Sequence, residues 1–305
     1  MENLVKHDKG ETDYEKVSEL ADRILEGTAK ITRLDREEEH GRIAGGRRNV
    51  EASLYLAAKA GYDTVEQGNS TGTASKELTA KRQEESLKEY AVKAGIWYAP
   101  EKIEKEIKEK SIGENGGWES NVYFMEDHSV IKIISYNKSS SKTPAEFLDN
   151  RISLYNYLFK ETGYELLGFT ENSGNDPQKQ GFQFIVRQKE IKGQVVQKHV
   201  RDAESYTDKI NAKKQITDII FKQLRDKLNL EPFRGSNMDY ISRNYKIEDV
   251  RLENVMESEN DNVLENPDTH LYYVDVSPQL NIYKSFGGIR EYSDFTVTEI
   301  TENKT

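Results

Sequence analysis

Seven residues, Asp249-Val250-Arg251-Leu252-Glu253-Asn254-Val255, carry the strongest signal in this sequence. They place a carboxylate and a carboxamide five residues apart, just before an apolar residue. A second acid, Asp275, ends the hydrophobic run Tyr272-Tyr273-Val274. Magnesium prefers carboxylate and carbonyl oxygens as ligands. Asn254 and Asp275 are therefore candidate metal ligands.

Two more features precede this stretch. One is Gly116-Gly117-Trp118-Glu119-Ser120-Asn121-Val122-Tyr123, which lies between two predicted strands. Backbone amides in such a glycine turn can approach phosphates closely. The other is Val130-Ile131-Lys132-Ile133, which places one lysine in an otherwise apolar strand. Because burial of an unpaired ammonium is costly, Lys132 is predicted to have an anionic partner.

Each feature alone has an ordinary structural explanation. A glycine pair is typical of a hairpin, and Lys132 alone is typical of an edge strand with its ammonium in water. Asp249 and Asn254 alone are typical of turns and helix caps, and Asp275 alone is typical of a strand end. Their order and spacing favour the joint interpretation, in which all of them belong to one site.

In this order the features resemble those of the protein-kinase-like superfamily: a glycine-rich hairpin, a strand lysine, a helix, a hinge strand, a catalytic loop and a metal-binding aspartate. Residues 249–255 read D-V-R-L-E-N-V, against D-L-K-P-E-N-V in kinases. More narrowly, the chain resembles the kinase domain found in polyvalent proteins of bacterial phages and conjugative elements. This resemblance rests on residues 116–123, 147–149, 164–169 and 249–255, and it spans about Ile112 to Lys284.

The resemblance implies a nucleotide site built from the glycine turn, the strand lysine and the hinge. Lys132 would contact the α- and β-phosphates of ATP. The hinge, Arg187 to Ile191, would contact adenine through its backbone. The residues assigned to nucleotide binding in this way are Gly116, Gly117, Ser120, Val122, Lys132, Gln188 and Glu190.

The resemblance also implies the residues that carry out the chemistry. Asp249 would orient or deprotonate the attacking hydroxyl group. Asn254 and Asp275 would hold Mg²⁺, so ATP and Mg²⁺ are the expected cofactors.

A helix is predicted to begin at Thr143-Pro144, with Thr143 as the N-cap and Glu146 three residues later. In the family, an acid on this helix would hold Lys132. Two acids are open for this role. Asp149 has the commoner spacing from the lysine, and Glu146 has the usual residue type.

Several residues depart from the kinase pattern. The glycine turn keeps Gly117 but has Asn115 and Ser120 where kinases have glycines. Ile247-Glu248, rather than His-Arg, precedes the catalytic loop, and Val276-Ser277, rather than Phe-Gly, follows the metal-binding aspartate. These departures argue against control by activation-loop phosphorylation. No A-P-E motif follows Asp275, and this departure argues against a protein acceptor more than against nucleotide binding.

The composition changes near residue 100, and two domains are predicted. Residues 1–110 are interpreted as an α-helical domain, with helices over Tyr14–Leu34, Asn49–Ala60 and Ala80–Gly95. Residues 111–305 are interpreted as an α+β domain, with a small antiparallel sheet and one helix followed by a short C-terminal lobe. The predicted fold is thus α+β, a reduced protein-kinase-like fold preceded by an α-helical domain.

The C-terminal lobe is predicted to contain one long amphipathic helix over Asp202–Leu228. Two strands, Tyr245–Glu257 and Leu271–Val276, are predicted to follow it. The helix residues predicted to face the core are Tyr206, Ile210, Ile216, Ile219, Ile220 and Leu224.

The composition excludes several classes of protein. The 305 residues are 35% hydrophobic and 10% aromatic, which is typical of a globular chain. The absence of cysteine excludes disulfide scaffolds, zinc ribbons and thiol nucleophiles. The net charge of −10 argues against a general nucleic-acid binder, and the basic residues Arg42, Arg47 and Arg48 are interpreted as a solvated face. Because no apolar run could span a membrane and no signal peptide is evident, a cytoplasmic location is expected.

The sequence therefore favours an ATP- and Mg²⁺-dependent phosphotransferase whose acceptor, a protein or a small molecule, is left open. Lys132, Asp249, Asn254 and Asp275 favour this function because all four are present. One alternative is a pseudokinase, a nucleotide-binding interaction module of a mobile genetic element with a protein partner on its N-terminal helices. The incomplete glycine turn favours that alternative. A third is a kinase-like enzyme that transfers AMP.

Overall fold

The computed structural model describes most of residues 73–280 and short pieces outside that span. The described residues are 2–3, 29–33, 48, 52, 55–56, 73–116, 120–136, 143–172, 181–233, 238–241, 245–280 and 295–299. Gly117 of the glycine turn lies outside them.

Helices and strands alternate irregularly along the described part of the chain. The helices are α1 (Thr73–Lys93), α2 (Pro100–Lys110), α3 (Pro144–Phe147, a π-helical segment Leu148–Leu154 and Tyr155–Leu158), α4 (Gln197–Asp202) and α5 (Tyr206–Leu228). Short 3₁₀ turns lie at Lys160–Thr162 and Leu252–Asn254. The strands are β1 (Glu2–Asn3), β2 (Ala29–Arg33), β3 (Ser111–Gly116), β4 (Ser120–Met125), β5 (Ser129–Ser135), β6 (Tyr164–Asn172), β7 (Gly181–Lys189), β8 (Gly193–Val195), β9 (Glu231–Pro232), β10 (Tyr240–Ile241), β11 (Tyr245–Glu248), β12 (Val255–Ser258), β13 (Leu271–Tyr273), β14 (Ser277–Leu280) and β15 (Phe295–Glu299).

A five-stranded antiparallel sheet in the order β3-β4-β5-β7-β6 forms the framework of the site. Lys132 on β5 lies opposite Val122 on β4 and Val186 on β7. Residues directly opposite on neighbouring strands share a face of the sheet. The three side chains therefore lie on one face, and the combination of helices with an antiparallel sheet confirms the α+β prediction.

The two faces of this sheet pack against different helices. On one face, Ile103 of α2 packs in a cluster with Ile185 of β7. On the other face, Phe147 of α3 stacks on Phe184 of β7, with ring centroids 4.4 Å apart. Since side chains two residues apart on a strand share a face, Lys132 lies on the face that α3 covers.

Helix α3 begins as predicted. Thr143 accepts a hydrogen bond from the amide of Glu146 at 3.2 Å, and Pro144 is the first helical residue. This confirms the predicted N-cap. The helix then widens into the π-helical segment before it returns to α-helix at Tyr155. Such π-helical turns are rare and frequently lie at functional sites.

The long helix of the C-terminal lobe is shorter than predicted. Residues 197–202 form the separate helix α4, and α5 begins after Ser205, which accepts a hydrogen bond from Asp208. The prediction that Tyr206 and Ile210 face the core is wrong, because they are 80% and 50% exposed. The core covers only the later turns of α5, where Ala212, Ile216, Ile219, Ile220 and Leu224 are buried. No helix in the described part of the chain is both long and apolar enough to cross a membrane.

Two small sheets, most of whose strands come after α5 in the chain, carry the loops of the site. One has the order β13-β12-β8 and the other β14-β11-β10-β9. The strand predicted over Tyr245–Glu257 is therefore two strands, β11 and β12, in different sheets. The residues between them, 249–254, form a loop with one 3₁₀ turn.

The helix predicted over Tyr14–Leu34 is wrong at its end. Residues 29–33 form β2, which pairs with β15. Ile31 and Thr32 lie opposite Val297 and Thr296. All four are β-branched, and such side chains favour strands over helices. The rest of the predicted helix lies outside the described residues.

Described residues before the predicted boundary at residue 110 pack on the five-stranded sheet. Tyr55 and Tyr90 are fully buried in one cluster with Phe169 of β6. Arg48 donates a hydrogen bond to the carbonyl of Leu167 at 2.7 Å, so its half-buried guanidinium has a structural contact. The division of the chain at residue 110 stays a prediction.

Candidate active site

Lys132 is buried at the centre of a polar cluster. Its side chain is only 7% exposed. The ammonium lies 3.1 Å from the carbonyl oxygen of Val274, 3.3 Å from the hydroxyl of Tyr164 and 3.5 Å from Oδ1 of Asp275. The anionic partner predicted for Lys132 is therefore Asp275.

The described residues that hydrogen-bond to the carboxylate of Asp275 do so through one oxygen, Oδ1. Oδ1 lies 3.2 Å from Arg151, 3.5 Å from Lys132 and 3.5 Å from the hydroxyl of Tyr164. Burial raises the pKa of Asp275, but the charges and hydrogen bonds of Lys132 and Arg151 outweigh it, so the pKa lies below its ordinary value of 3.8. The side chain is 43% exposed, and Oδ2 accepts no hydrogen bond from a described residue.

Arg151 is the site residue that sequence analysis missed. It lies in the π-helical segment of α3 and is 2% exposed. It contacts Asp275 together with the carbonyl oxygen of Val276, at 2.6 Å, and the hydroxyl of Ser277, at 2.8 Å. The helical pattern held a signal for it, because Arg151 comes three residues after the buried Leu148 and therefore lies on the apolar stripe of the helix.

Of the two acids assigned to Lys132, only Glu146 has a described side chain. Glu146 is half-buried in the first turn of α3 and is not among the described contacts of Lys132. The backbone of Asp149 lies in the π-helical segment, and its side chain lies outside the described residues. The helix side chain seen in the cluster is a cation, Arg151. The assignment of Glu146 or Asp149 stays a prediction.

Asp249 and Asn254 form a second polar cluster on the loop between β11 and β12. The amide nitrogen of Asn254 donates to Oδ2 of Asp249 at 3.0 Å and to its carbonyl oxygen at 2.9 Å. The other carboxylate oxygen contacts Arg251. Asp249 has a positive φ of 61°, a left-handed conformation that aspartate tolerates better than most residues. Because the amide nitrogen of Asn254 faces Asp249, its amide oxygen faces away from that residue.

Val274 joins the two clusters. Its amide donates to the carbonyl oxygen of Asn254 at 3.0 Å. Its own carbonyl oxygen accepts from Lys132 at 3.1 Å. Both contacts are thus made by the backbone of one residue, Val274, and Asp275 is the next residue in the chain. The fold thus brings Lys132, Asp249, Asn254 and Asp275 into one region, although they come from three separate parts of the sequence.

Comparison with known families shows where this arrangement belongs. Residues 80–276 match the family described as Serine/Threonine/Tyrosine Kinase found in polyvalent proteins. The chain belongs to this family. The match begins within α1, ahead of the boundary predicted at residue 110, and ends just after Asp275. It supports a kinase-type phosphotransferase in general. No curated protein and no solved structure matches the chain.

The residues predicted to contact phosphates lie on strands next to Lys132. Val122 is directly opposite Lys132, and Ser120 is opposite Ile134, two residues further along β5. Ser120 and Val122 therefore share the face of the sheet that carries the lysine. Gly116 ends β3 opposite Asn121.

The two side chains assigned to the predicted hinge, Gln188 and Glu190, contact other residues of the protein. Gln188 is buried, and its amide nitrogen donates to the carbonyl of Thr162 at 2.5 Å and to the carbonyl of Val274 at 3.3 Å. The carboxylate of Glu190 lies 3.1 Å from the ring of His128. By contrast, the backbone amide of Ile191 makes no hydrogen bond with the described residues. Contact with a base would therefore come from the backbone.

Proposed function

We propose that this chain is an ATP- and Mg²⁺-dependent phosphotransferase with a reduced protein-kinase-like fold. The observation that carries the proposal is the contact of Lys132 with Asp275, at 3.5 Å, beside the Asp249–Asn254 pair. Kinases use a strand lysine, a metal-binding aspartate and a second aspartate on the catalytic loop for phosphoryl transfer. Lys132, Asp275 and Asp249 supply these three kinds of group in one region of the fold. Membership of the kinase family supports the same reading.

Lys132 is the residue that would bind the phosphates. It is nearly buried, so its attraction for an anion is weakly screened by water. It shares its described carboxylate partner, Asp275, with Arg151. Among the described residues, two cations thus share one carboxylate, an excess of positive charge that favours a polyanion such as the triphosphate of ATP.

The residues present fit a magnesium ion. Oδ2 of Asp275 accepts no hydrogen bond from a described residue, and the amide oxygen of Asn254 faces away from Asp249. Both are hard oxygen donors of the kind that Mg²⁺ binds. When bound, Mg²⁺ would neutralise phosphate charge. Asp275 and Asn254 would hold it, and the backbone bond between Val274 and Asn254 would keep the two donors on one side of the site.

Asp249 would act on the acceptor hydroxyl. Its side chain is 38% exposed and so is open to a substrate. The amide of Asn254 holds one of its oxygens and thereby orients the carboxylate. Asp249 would accept a hydrogen bond, and then the proton, from the hydroxyl as that oxygen attacks the terminal phosphate.

A second candidate function is a pseudokinase that serves as an interaction module. Arg151 supports it, because a second cation already engages Asp275 and so competes with a metal ion for the same carboxylate. Leu78 and Val92 on α1 are 53% and 59% exposed, and they offer apolar contacts to a protein partner. This candidate includes the proposed association with a mobile genetic element.

Calorimetric titration of ATP with and without Mg²⁺ tests the proposal. We expect binding that Mg²⁺ strengthens, because Asp275 and Asn254 would hold the ion against the phosphates. Mass spectrometry of the products formed with a library of hydroxyl acceptors would then separate phosphate transfer from AMP transfer. No ATP binding in either condition would overturn the proposal and favour the interaction module.

A further inference from the structure

Arg151 connects helix α3 to three consecutive residues that follow β13. One guanidinium nitrogen donates to the carbonyl oxygen of Val276 at 2.6 Å and to the hydroxyl of Ser277 at 2.8 Å. The other nitrogen donates to Oδ1 of Asp275 at 3.2 Å. A planar guanidinium presents its donors in a fixed fork, so these contacts fix orientation as well as distance. The segment 275–277 therefore has one position relative to α3.

Because Arg151 is buried, its charge must be satisfied by partners within the protein. The side chain of Arg151 is 2% exposed, and a buried charge is tolerated only where it is paired and hydrogen-bonded. The π-helical segment that carries Arg151 contacts β14 directly. A lysine has the same charge, but its ammonium cannot reproduce the two-nitrogen fork at this position.

The donors around Asp275 distinguish its two oxygens. Arg151, Lys132 and the hydroxyl of Tyr164 all approach Oδ1. No described residue donates a hydrogen bond to Oδ2. The side chain is 43% exposed, so Oδ2 is the oxygen left open to a ligand.

Arg151 is also linked to the Asp249 loop indirectly, through the pairing of β14 with β11. Ser277 begins β14 and lies opposite Glu248 on β11. Asp249 follows Glu248 directly in the chain. The contact that fixes Ser277 therefore supports the strand pair from which the Asp249 loop begins.

We propose that Arg151 is a positioning residue that holds the Asp275 carboxylate with Oδ2 turned toward the metal bound with the nucleotide. This inference rests on the proposed function. It assigns no contact between Arg151 and substrate. Arg151 acts through Asp275 and through the start of β14.

The test compares wild type with Arg151→Lys and Arg151→Met in two measurements. The first is the Mg²⁺ concentration that gives half of the full strengthening of ATP binding. We expect Arg151→Lys to raise it about tenfold or more, as outer-shell changes at metal sites do. ATP binding without Mg²⁺ should change much less in Arg151→Lys, because this substitution keeps a positive charge beside Asp275 and leaves Lys132 in place. The second measurement is amide hydrogen exchange over residues 274–280 without nucleotide, which should accelerate in both variants.

Two further variants serve as controls. Arg225→Lys changes an exposed arginine of α5 that pairs with Asp226, and it should leave both measurements unchanged. Ser277→Ala removes one acceptor of Arg151 without removing a charge. It should shift both measurements in the same direction as Arg151→Lys but by less, and it keeps the test informative if the Arg151 variants do not fold.

The outcomes separate the inference from the proposed function. If wild type shows no Mg²⁺-dependent ATP binding, the proposed function fails, and unchanged exchange over residues 274–280 in the variants then removes the positioning role as well. If wild type binds Mg²⁺ with ATP and Arg151→Lys has the wild-type Mg²⁺ dependence, the function stands and the inference is overturned. A raised Mg²⁺ requirement together with faster exchange supports both.

Discussion

The amide of Val274 donates to the carbonyl of Asn254 at 3.0 Å. This single backbone bond ties the loop that carries Asp249 to the strand end that carries Asp275. The carbonyl oxygen of the same residue, Val274, accepts from Lys132 at 3.1 Å. The positions of the three charged groups therefore depend on one short piece of backbone rather than on contacts between exposed side chains.

Lys132→Met should abolish most ATP binding. The change removes the one ammonium of the buried cluster while it keeps side-chain length and packing. Loss of a preorganised charge at a phosphate site weakens the interaction about a hundredfold or more. Calorimetric titration of ATP measures the effect. Lys105→Met is the matched control, since Lys105 is 76% exposed on α2 and should bind ATP as wild type does. Wild-type affinity in Lys132→Met would remove Lys132 from the phosphate site.

Asp275→Asn should weaken the binding of the Mg²⁺ that accompanies the nucleotide. The substitution keeps the shape of the side chain but replaces a charged ligand oxygen with a neutral group, so the ion loses its main attraction. The Mg²⁺ requirement for ATP binding should rise about tenfold or more. Asp268→Asn, at a carboxylate that is 83% exposed, supplies the control. An unchanged Mg²⁺ requirement in Asp275→Asn would show that the ion is held elsewhere.

Asp249→Ala should stop transfer and spare binding. Asp249 contacts neither Lys132 nor Asp275 in the structure, so the affinity for ATP should stay within about twofold of wild type. Loss of a residue that accepts the hydroxyl proton reduces the rate of transfer about a hundredfold to ten-thousandfold. Single-turnover assays with an identified acceptor measure the rate. Asp226→Asn, on the exposed side of α5, is the control. Wild-type turnover in Asp249→Ala would end its catalytic assignment.

Tyr155→Phe should destabilise the fold by about 1–2 kcal/mol. The Tyr155 hydroxyl donates to the carbonyl of Tyr273, and it accepts from Gln188 at 3.2 Å. Removal of the hydroxyl leaves these buried groups with fewer partners, but Thr162 still contacts both of them, so the loss is moderate. Denaturant unfolding measures the free energy. Tyr206→Phe changes a hydroxyl on a residue that is 80% exposed and should have no effect. Equal stability of Tyr155→Phe and wild type would show that the network is energetically unimportant.

Stability should fall as the pH rises above 10.0, the ordinary pKa of tyrosine. Burial, aided by the charge of Asp218, raises the pKa of Tyr240 to about 12. Burial, with the charges of Glu104 and Glu114, raises that of Tyr123 to about 12 as well. Between these values the folded state binds more protons than the unfolded state, so the free energy of unfolding decreases with pH.

Denaturant unfolding at a series of pH values tests this expectation. Tyr240→Phe should show a shallower decline above pH 10.0 than wild type, because one of the buried phenols no longer titrates. Tyr206→Phe should decline as wild type does, since its hydroxyl is in water. A wild-type curve that stays flat above pH 10.0 would contradict the burial of these phenols in solution.

The sequence predicted the parts of the site that are carried by local pattern. The apolar run around Lys132 predicts a buried lysine that needs an anion, because an unpaired ammonium is not tolerated there. The Thr143-Pro144 pair predicts the start of α3, since the bonds of an N-cap lie within four residues. The order of Lys132, Asp249, Asn254 and Asp275 predicted the kinase-like superfamily. The residues at 116–123, 147–149, 164–169 and 249–255 predicted the narrower family that the match at residues 80–276 confirms.

Amphipathic pattern was a weaker guide to burial. Tyr206 and Ile210 continue the apolar stripe of α5, yet they lie at the surface, because the helix begins two turns before the core does. Periodicity shows which side chains share a face of a helix. It does not show how far along the helix that face has a partner.

The sequence by itself determined the identity and the order of the groups that would carry the chemistry, because each lies in a short motif that is recognisable from adjacent residues. Only the tertiary structure decided which of them meet. Arg151 contacts Asp275, and Gln188 turns inward to Thr162 and Val274. These pairs are far apart in sequence, and long-range contacts arise from how the sheet, α3 and the two small sheets pack. The spacing of residues within a short motif does not predict such long-range contacts.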